Sequence, residues 1–407
     1  MGGWPVLRSR PVCRGRAGAP RPGTPELGTE TTGQPTARAR EGAACNNEPA
    51  RPASPGGSDR RRGAVSASVK DVAARAGVSV GTVSNVLNRP EKVSPVTVDR
   101  VHAAIDELGF VRNDAARQLR AGRSRSVGLV VLDVGNPFFT DVARGAEDRA
   151  DAEGWSVLLG NSDESIDRER AYLDLFEEQR VAGVLITPLG DDLTRLSRLR
   201  DRGTPTVLVD RQTDDTSFSS VAVDDVAGGR VAVEHLIGLG RRRIAVVGGP
   251  SSLRQVVDRL AGARQAVDAA AAGGAEVTLE VVETTALTVL QGRSAGETIR
   301  NRPRDDWPDA VFAANDLLAM GVLQAFSMLG SVRVPDDIAL IGYDDIDFAS
   351  AAVVPLSSIR QPSALIGHTA VELLLREADA GARRVPEQIV FQPELVVRQS
   401  TVGVDQA

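Results

Sequence analysis

Cysteine is almost missing from this 407-residue chain: there are two, Cys13 and Cys45, both near the start. They make neither a disulfide framework nor a cysteine-rich metal site. Only three histidines occur, His102, His235 and His368, too far apart in sequence to suggest a histidine metal centre. Apolar runs stay far below the roughly 18 residues of a membrane span. No apolar signal core opens the chain, so a cytoplasmic protein without a membrane partner is expected. The stretch Gly248-Gly249-Pro250-Ser251-Ser252 looks phosphate-friendly but lacks the Lys-Ser/Thr of a nucleotide loop. No G-x-S-x-G elbow appears, and the histidines fall outside motif positions, so acyl transfer has no support. An enzyme, a metalloprotein and a membrane protein are therefore the weakest readings.

What is present is a packed-core composition, 42% apolar, in a chain long enough for two or three domains. The net charge of -6 argues against a protein that is basic throughout, but the charge is unevenly spread. Residues 1–65 mix Arg, Pro, Gly, Ala, Thr and Glu without period. Such a stretch buries too little apolar surface to offset the entropy of ordering. It reads as a disordered tail, as a basic arm carrying Arg60, Arg61 and Arg62, or as a start site assigned too far upstream.

Residues 66–112 carry the sharpest local signal. In Lys70 to Asn88, KDVAARAGVSVGTVSNVLN, two short helices are joined by a tight turn. Ala73, Ala74 and Val78 supply small packing positions, Gly77 ends the first helix, and the Ser79 hydroxyl caps the second. Val83, Val86 and Leu87 recur at helical spacing, which turns Val80, Gly81, Ser84 and Asn85 outward. This is a helix-turn-helix, a unit that lays its second helix in the DNA major groove. Ser94 and Pro95 start a third helix, expected to run to about Leu108 with Val98, Val101, Ala104, Ile105 and Leu108 inward, and Gly109 stops it. Residues 113–124 then offer a short helix between Asn113 and Gly122, marginal in water on its own. It carries Arg117 and Arg120 around one large apolar side chain, Leu119. The plain alternative is a basic linker; the sharper one is a hinge helix that orders on DNA, with Leu119 wedged into the minor groove.

These residues together, 70–88, Val93-Ser94, Gly109-Phe110, Asn113, Ala116-Arg117 and Leu119, resemble the head-piece of the LacI/GalR family of bacterial transcriptional regulators. The resemblance continues to about residue 398. It implies that Val80, Gly81 and Asn85 face bases while Thr82 and Ser84 face phosphates of a double-stranded operator. Two departures stand out: Arg112 replaces the usual Pro, and Val98 follows Thr97 where an Arg is common. With little hydrogen-bonding capacity on Val80 and Gly81, direct readout rests on Asn85, thymine methyls and DNA shape.

From 125 to 400 short apolar runs alternate with amphipathic stretches, the first set closing near Val223 and the second starting at 226. That is an α/β fold with parallel sheets, in two lobes with a ligand beyond the strand C-termini. It is similar to periplasmic sugar-binding proteins, as the family would require. Polar and aromatic residues follow the strands: Asp133, Asn136, Phe138, Phe139, Asn161, Asp210, Arg211, Asp224, Asn315 and Asp316, with Arg259 just inside a helix. A carboxylate accepts two sugar hydroxyls and an arginine donates a fixed fork. Each such Asp is equally a candidate helix cap, Asp224 and Asp316 in particular. The resemblance implies effector contacts for Arg259 and Asp316 and favours a sugar where Asp210-Arg211 occurs. No cofactor or metal is expected. With 401–407 read as a tail lacking heptads, a homodimer is expected rather than a tetramer. The expected function is a repressor released from DNA by a small carbohydrate. A sugar-binding protein without regulation, and a regulator answering to a nucleobase or sugar phosphate, are the alternatives.

Overall fold

The computed structural model describes residues 67–110, 124–328, 332–380 and 385–403. The expected N-terminal tail and the hinge residues Asn113, Arg117, Leu119 and Arg120 lie outside the described residues.

The first body is the three-helix unit. Ser68 and Asp71 form a capping box at the start of α1 (Val69–Ala76), and Gly77 at φ 63° ends it in the left-handed region. The Ser79 hydroxyl accepts from the Thr82 amide at 3.0 Å and so caps α2 (Val80–Asn88). α3 (Pro95–Leu108) has Pro95 in its first turn and closes on Gly109 at φ 57°. Ser94 precedes it, but its hydroxyl bonds Thr97 Oγ1 rather than a backbone amide. Val72, Ala73, Ala76, Val83, Val86, Val101 and Ala104 form the core. Ala74 is exposed, a correction to the expected packing: the helical turn instead brings Val72 and Ala76 inward.

The second body holds two six-stranded sheets. The first has spatial order β11-β5-β4-β3-β1-β2, with β1 (Ser126–Val131), β2 (Ser156–Asn161), β3 (Gly183–Ile186), β4 (Thr206–Val209), β5 (Ser219–Val223) and β11 (Gln388–Phe391) all parallel. The second has order β12-β10-β9-β8-β6-β7, from β6 (Arg243–Gly248), β7 (Thr278–Glu283), β8 (Ala310–Ala313), β9 (Ala339–Asp344), β10 (Ser357–Arg360) and β12 (Glu394–Val396). Only the β10–β12 pair is antiparallel. Central strands β3, β4, β5 and β8 are buried along their whole length, as sheets covered on both faces should be.

The two-lobed reading holds, but the lobes are not two consecutive halves. The chain crosses between sheets three times, after β5, after β10 and between β11 and β12. The segment after β10 therefore returns a helix and a strand to the first lobe. The tail drawn from 401 is also corrected. Ser400 and Thr401 are buried, with Ser400 Oγ on the Leu340 carbonyl and Thr401 Oγ1 on Ser357 Oγ.

Three helix pairs meet at backbone distance through reciprocal glycines. A Cβ on Gly145 of α4 (Pro137–Asp151) would lie 1.9 Å from the Ala364 carbonyl, and one on Gly367 of α12 (Ser363–Ala380) 1.9 Å from that of Val142. Gly229 of α7 (Asp225–Gly238) and Gly262 of α8 (Arg254–Ala272) repeat this at 1.9 Å against Arg259 and Val226. Gly292 of α9 (Val289–Arg300) and Gly321 of α10 (Asp316–Ser327) do so at 2.1 Å against Leu318 and Val289. The remaining helices include α5 (Ile166–Glu178), α6 (Thr194–Asp201), α11 (Asp347–Ser350) and α13 (Gln399–Val402). Among the described residues no helix is long and apolar enough to cross a membrane. Overpacking one glycine contact should force the pair apart. Gly262→Ala is expected to cost about 1–3 kcal/mol in urea unfolding of the full chain; an unchanged midpoint would show that α7 and α8 tolerate separation.

Candidate functional site

Two places gather the residues singled out by the sequence. On the small body, α2 presents Val80, Gly81, Ser84 and Asn85 to solvent, with Val80 43% exposed. Thr82 is half-buried, its hydroxyl 2.9 Å from that of Ser79. The outward face thus combines an apolar tip, a glycine that admits close approach, and an amide.

The second place lies between the lobes, at the C-terminal ends of both sheets. Leu132, Asn136, Phe138, Phe139, Asp210, Gln255, Arg259, Leu287, Asn315 and Asp344 line a cavity of about 20 Å³, the room of one water. The lobes are closed over it. Asn136 caps α4 by accepting from the Phe138 amide at 3.0 Å, which turns its Nδ2 across the cleft to Asp344 Oδ2 at 3.0 Å. From the other side Gln255 Nε2 reaches Asp210, 2.8 Å to the carbonyl and 3.0 Å to Oδ2. Phe138 and Phe139 meet edge to face, centroids 5.0 Å apart, and both are buried wall residues.

Arg259 is the buried cation of the site, 4% exposed. Its Nε donates to Asp225 Oδ1 at 2.8 Å and its Nη1 to the Ala314 carbonyl at 2.6 Å. Asp344 Oδ1 is 3.8 Å away, and the guanidinium sits 3.7 Å over the Tyr343 ring. Burial opposes its charge, but Asp225, Tyr343, Asp344 and Asp210 outweigh that and raise its pKa. Burial also raises the three carboxyls. It pushes Asp210 well above the ordinary carboxylate range, helped by the Asp225 charge, while Arg259 holds back the rise at Asp225 and Asp344. The buried atoms here without a hydrogen-bond partner include Asp210 Oδ1, Arg211 Nε and Gln361 Oε1. Buried polar groups without partners are uncommon and costly, so each calls for an explanation.

Of the expected contact residues, Asn136, Phe138, Phe139, Asp210, Arg259 and Asn315 come together. Asn315 caps α10 through the Leu318 amide and donates to the Leu287 carbonyl at 3.1 Å. Arg211 instead pairs with Asp191 and lines an adjoining open pocket of 500 Å³. Four others do not line the cavity, which corrects their placement. Asp133 and Asn161 are occupied with loop amides at the rim, those of Gly135 at 2.8 Å and Val134 at 3.3 Å. Asp224 caps α7 through the Ala227 amide at 2.9 Å, leaving its neighbour Asp225 to face Arg259. Asp316 is fully buried beneath the site and turned to its own lobe. The sequence reading passed over Gln255, Leu287 and Gln361; Asp344 follows a strand in it, with Tyr343 and Asp345, but was given no effector contact. Gln255 stands one helical turn before Arg259, a spacing that would have found it. Gln361 lies on the second crossover, which periodicity does not reveal; its Nε2 donates to Asp344 Oδ1 at 2.8 Å.

Residues 68–113 match the family model for bacterial regulatory proteins of the lacI family, and 233–401 that for a periplasmic binding protein-like domain. The ribose operon repressor of Bacillus subtilis is 38% identical over 310 residues, 76% of this chain and 91% of that one. The regulator CelR of Thermobifida fusca is 36% identical over 338 residues, 81% and 96% of the two chains. Among solved structures, the lac repressor dimer bound to operator and the anti-inducer ONPF matches with TM-score 0.70 at 29% identity, over 82% of this chain and 99% of that one. A LacI family regulator of Enterococcus faecium with bound ribose matches with TM-score 0.61 at 26% identity, over 69% and 99%. A helix-turn-helix followed by a two-lobed α/β ligand-binding body defines a ligand-responsive DNA-binding regulator. The chain belongs to the LacI family of bacterial transcriptional regulators.

One further carboxyl lies near the cleft. Burial and then the Asp133 charge push Glu164 up to about 7, while the Leu287 backbone amide of the other lobe acts the opposite way. A carboxyl whose pKa is raised on folding favours the folded, protonated form; that contribution is full at acid pH and is lost as pH rises through about 7. The urea midpoint of the full chain should carry a component that falls between about pH 5 and about pH 7, and Glu164→Gln should remove it; an equal fall in the variant would exonerate Glu164.

Proposed function

We propose that this chain is a homodimeric repressor that a small neutral sugar releases from its operator. Domain boundaries follow this division of labour: a DNA-binding head-piece over 66–112, a hinge over 113–124 and an effector-binding body from 125. The observation that carries the effector class is the chemistry of the cleft. Asp210, Asp225 and Asp344 face a single arginine there, and two of the unpartnered atoms are oxygens: Gln361 Oε1, an acceptor, and Asp210 Oδ1, which accepts a hydrogen bond when ionised and donates one when protonated. Sugar hydroxyls both donate and accept, and the Phe138–Phe139 pair offers an apolar wall for a ring. An anionic sugar phosphate meets net negative charge instead. The relatives named for ribose support a pentose.

On DNA, Val80, Gly81 and Asn85 face bases, Thr82 and Ser84 phosphates, and Asn113, Arg117, Leu119 and Arg120 the central minor groove. The edge strands β2 and β7 leave Leu158, Leu159 and Val281 exposed by 38%, 48% and 37%, a surface suited to a second copy.

Calorimetry of the full chain with D-ribose, other pentoses, cellobiose, ribose 5-phosphate and hypoxanthine tests the effector. Binding of a neutral pentose, lost in Asp344→Ala, is expected; preference for the phosphate or the base would overturn the sugar reading. For DNA, Asn85→Ala should cost about 1–3 kcal/mol on a selected operator and leave binding to random duplex nearly unchanged. Equal loss on both in a gel-shift titration would remove Asn85 from base readout.

A further inference from the structure

Asp316 is buried, carries a carboxyl group, and takes no part in lining the cleft. Its hydrogen bonds go to two neutral donors of its own lobe: Ser358 Oγ at 2.7 Å to Oδ1 and the Ile346 amide at 2.9 Å to Oδ2. Ser358 Oγ in turn accepts from the Asp345 amide at 3.1 Å. Both amides that follow Asp344 are therefore held by Asp316, one directly and one through a serine. Gly342 makes the room: a Cβ there would stand 2.0 Å from Asp316 Oδ1.

The segment so held has an unusual backbone. Asp344 has φ 102° and Asp345 φ 55°, conformations that residues with a Cβ rarely adopt. This turn divides two neighbouring carboxylates. Asp344 points to Asn136 and Gln361 in the cleft, while Asp345 points away to Arg360 at 2.8 Å and Arg398 at 2.6 Å. Without acceptors below them, the two amides would lose the bonds that fix the turn, and Asp344 would lose its aim.

We propose that Asp316 is a positioning residue for effector binding: it sets the Asp344 carboxylate through the turn at 344–346 without touching the ligand. This rests on the reading of Asp344 as an effector contact. The carboxyl group accepts on both oxygens. An asparagine at 316 could keep the Ile346 bond only by turning its Nδ2 to the Ser358 oxygen, which would reverse that bond and leave the Ser358 hydroxyl hydrogen without its acceptor.

The test uses the full chain as wild type, Asp316→Asn, Ser358→Ala, Asp344→Asn and, as a destabilised control further along α10, Val322→Ala. Amide hydrogen exchange without ligand is read first. In Asp316→Asn the Asp345 and Ile346 amides should exchange roughly tenfold faster or more, with Val246 and Phe312 in the neighbouring strands unchanged. D-ribose titration is read second. Asp316→Asn should weaken binding roughly tenfold and Ser358→Ala less, in the same direction, while Val322→Ala binds normally. Unchanged exchange at 345–346, acceleration everywhere, or a ribose affinity in Asp316→Asn that only matches Val322→Ala would each overturn the proposal. If Asp344→Asn binds ribose as wild type does, the reading of the cleft fails instead. If wild type itself ignores ribose, the effector assignment falls and the exchange result alone decides for or against Asp316.

Discussion

A guanidinium can be buried only where carboxylates and carbonyls replace its water, and that requirement at Arg259 organises the ligand-binding body. Its partners come from separate elements: Asp225 at the start of α7, Ala314 just past β8 and Asp344 at the end of β9. Arg259 reaches them because α8 lies against α7 at backbone distance, through Gly229 and Gly262. Removing the cation would leave three buried carboxylates facing each other, a change worth several kcal/mol in comparable buried pairs, roughly 3–5. The local geometry, the helix crossing and the electrostatics of the cleft are therefore one constraint seen at three scales.

The bonds between the lobes are few and polar. Asn136 to Asp344 and Gln255 to Asp210 join side chains across the cleft. Each such bond exchanges with water on opening, so its net worth is small, about 1 kcal/mol. A closed state held this lightly responds to a ligand that adds a handful of bonds. The unpartnered Asp210 Oδ1 and Gln361 Oε1 mark where hydroxyl donors would raise the count.

Much of this was legible from residues alone. The helix ends at Gly77, Ser79 and Gly109 follow from local chemistry, whereas the capping box at Ser68 was passed over. The alternation of strand and helix from 126 to 344 follows from hydrophobic period, and the strand ends indicated Asn136, Asp210 and Asn315. What the sequence hides is non-local. The return of α12 and β11 to the first lobe cannot be read from periodicity, and Gln361 was lost with it. Asp224 and Asp225 are adjacent and chemically alike, yet one caps a helix while the other meets Arg259; only the exit angle of β5 decides. Asp344 and Asp316 invert expectation for a similar reason. The left-handed backbone at 344 and 345 turns a strand-end aspartate into the cleft, while a helix-starting aspartate is enclosed by Gly342 and Ser358.

The placement of Gln361 bears on how a ligand in the cleft would reach DNA. It stands on the second crossover, one residue beyond β10, and its amide is fixed by Asp344. That crossover leads directly into α12, which packs through Gly367 on α4, the helix that Asn136 caps. A ligand that engages Asp344 and the free Gln361 carbonyl oxygen thus loads both a lobe and the strand connecting it to the other. The chain enters the first lobe at Ser124, anchored by its amide to the Arg180 carbonyl at 3.1 Å. Any rotation of that lobe must carry the entry point of the DNA-binding segment with it. In a two-fold dimer the separation of two such entry points then depends on closure. Linkage requires the converse as well: an operator that fixes their separation must lower or raise affinity for the ligand by the same factor.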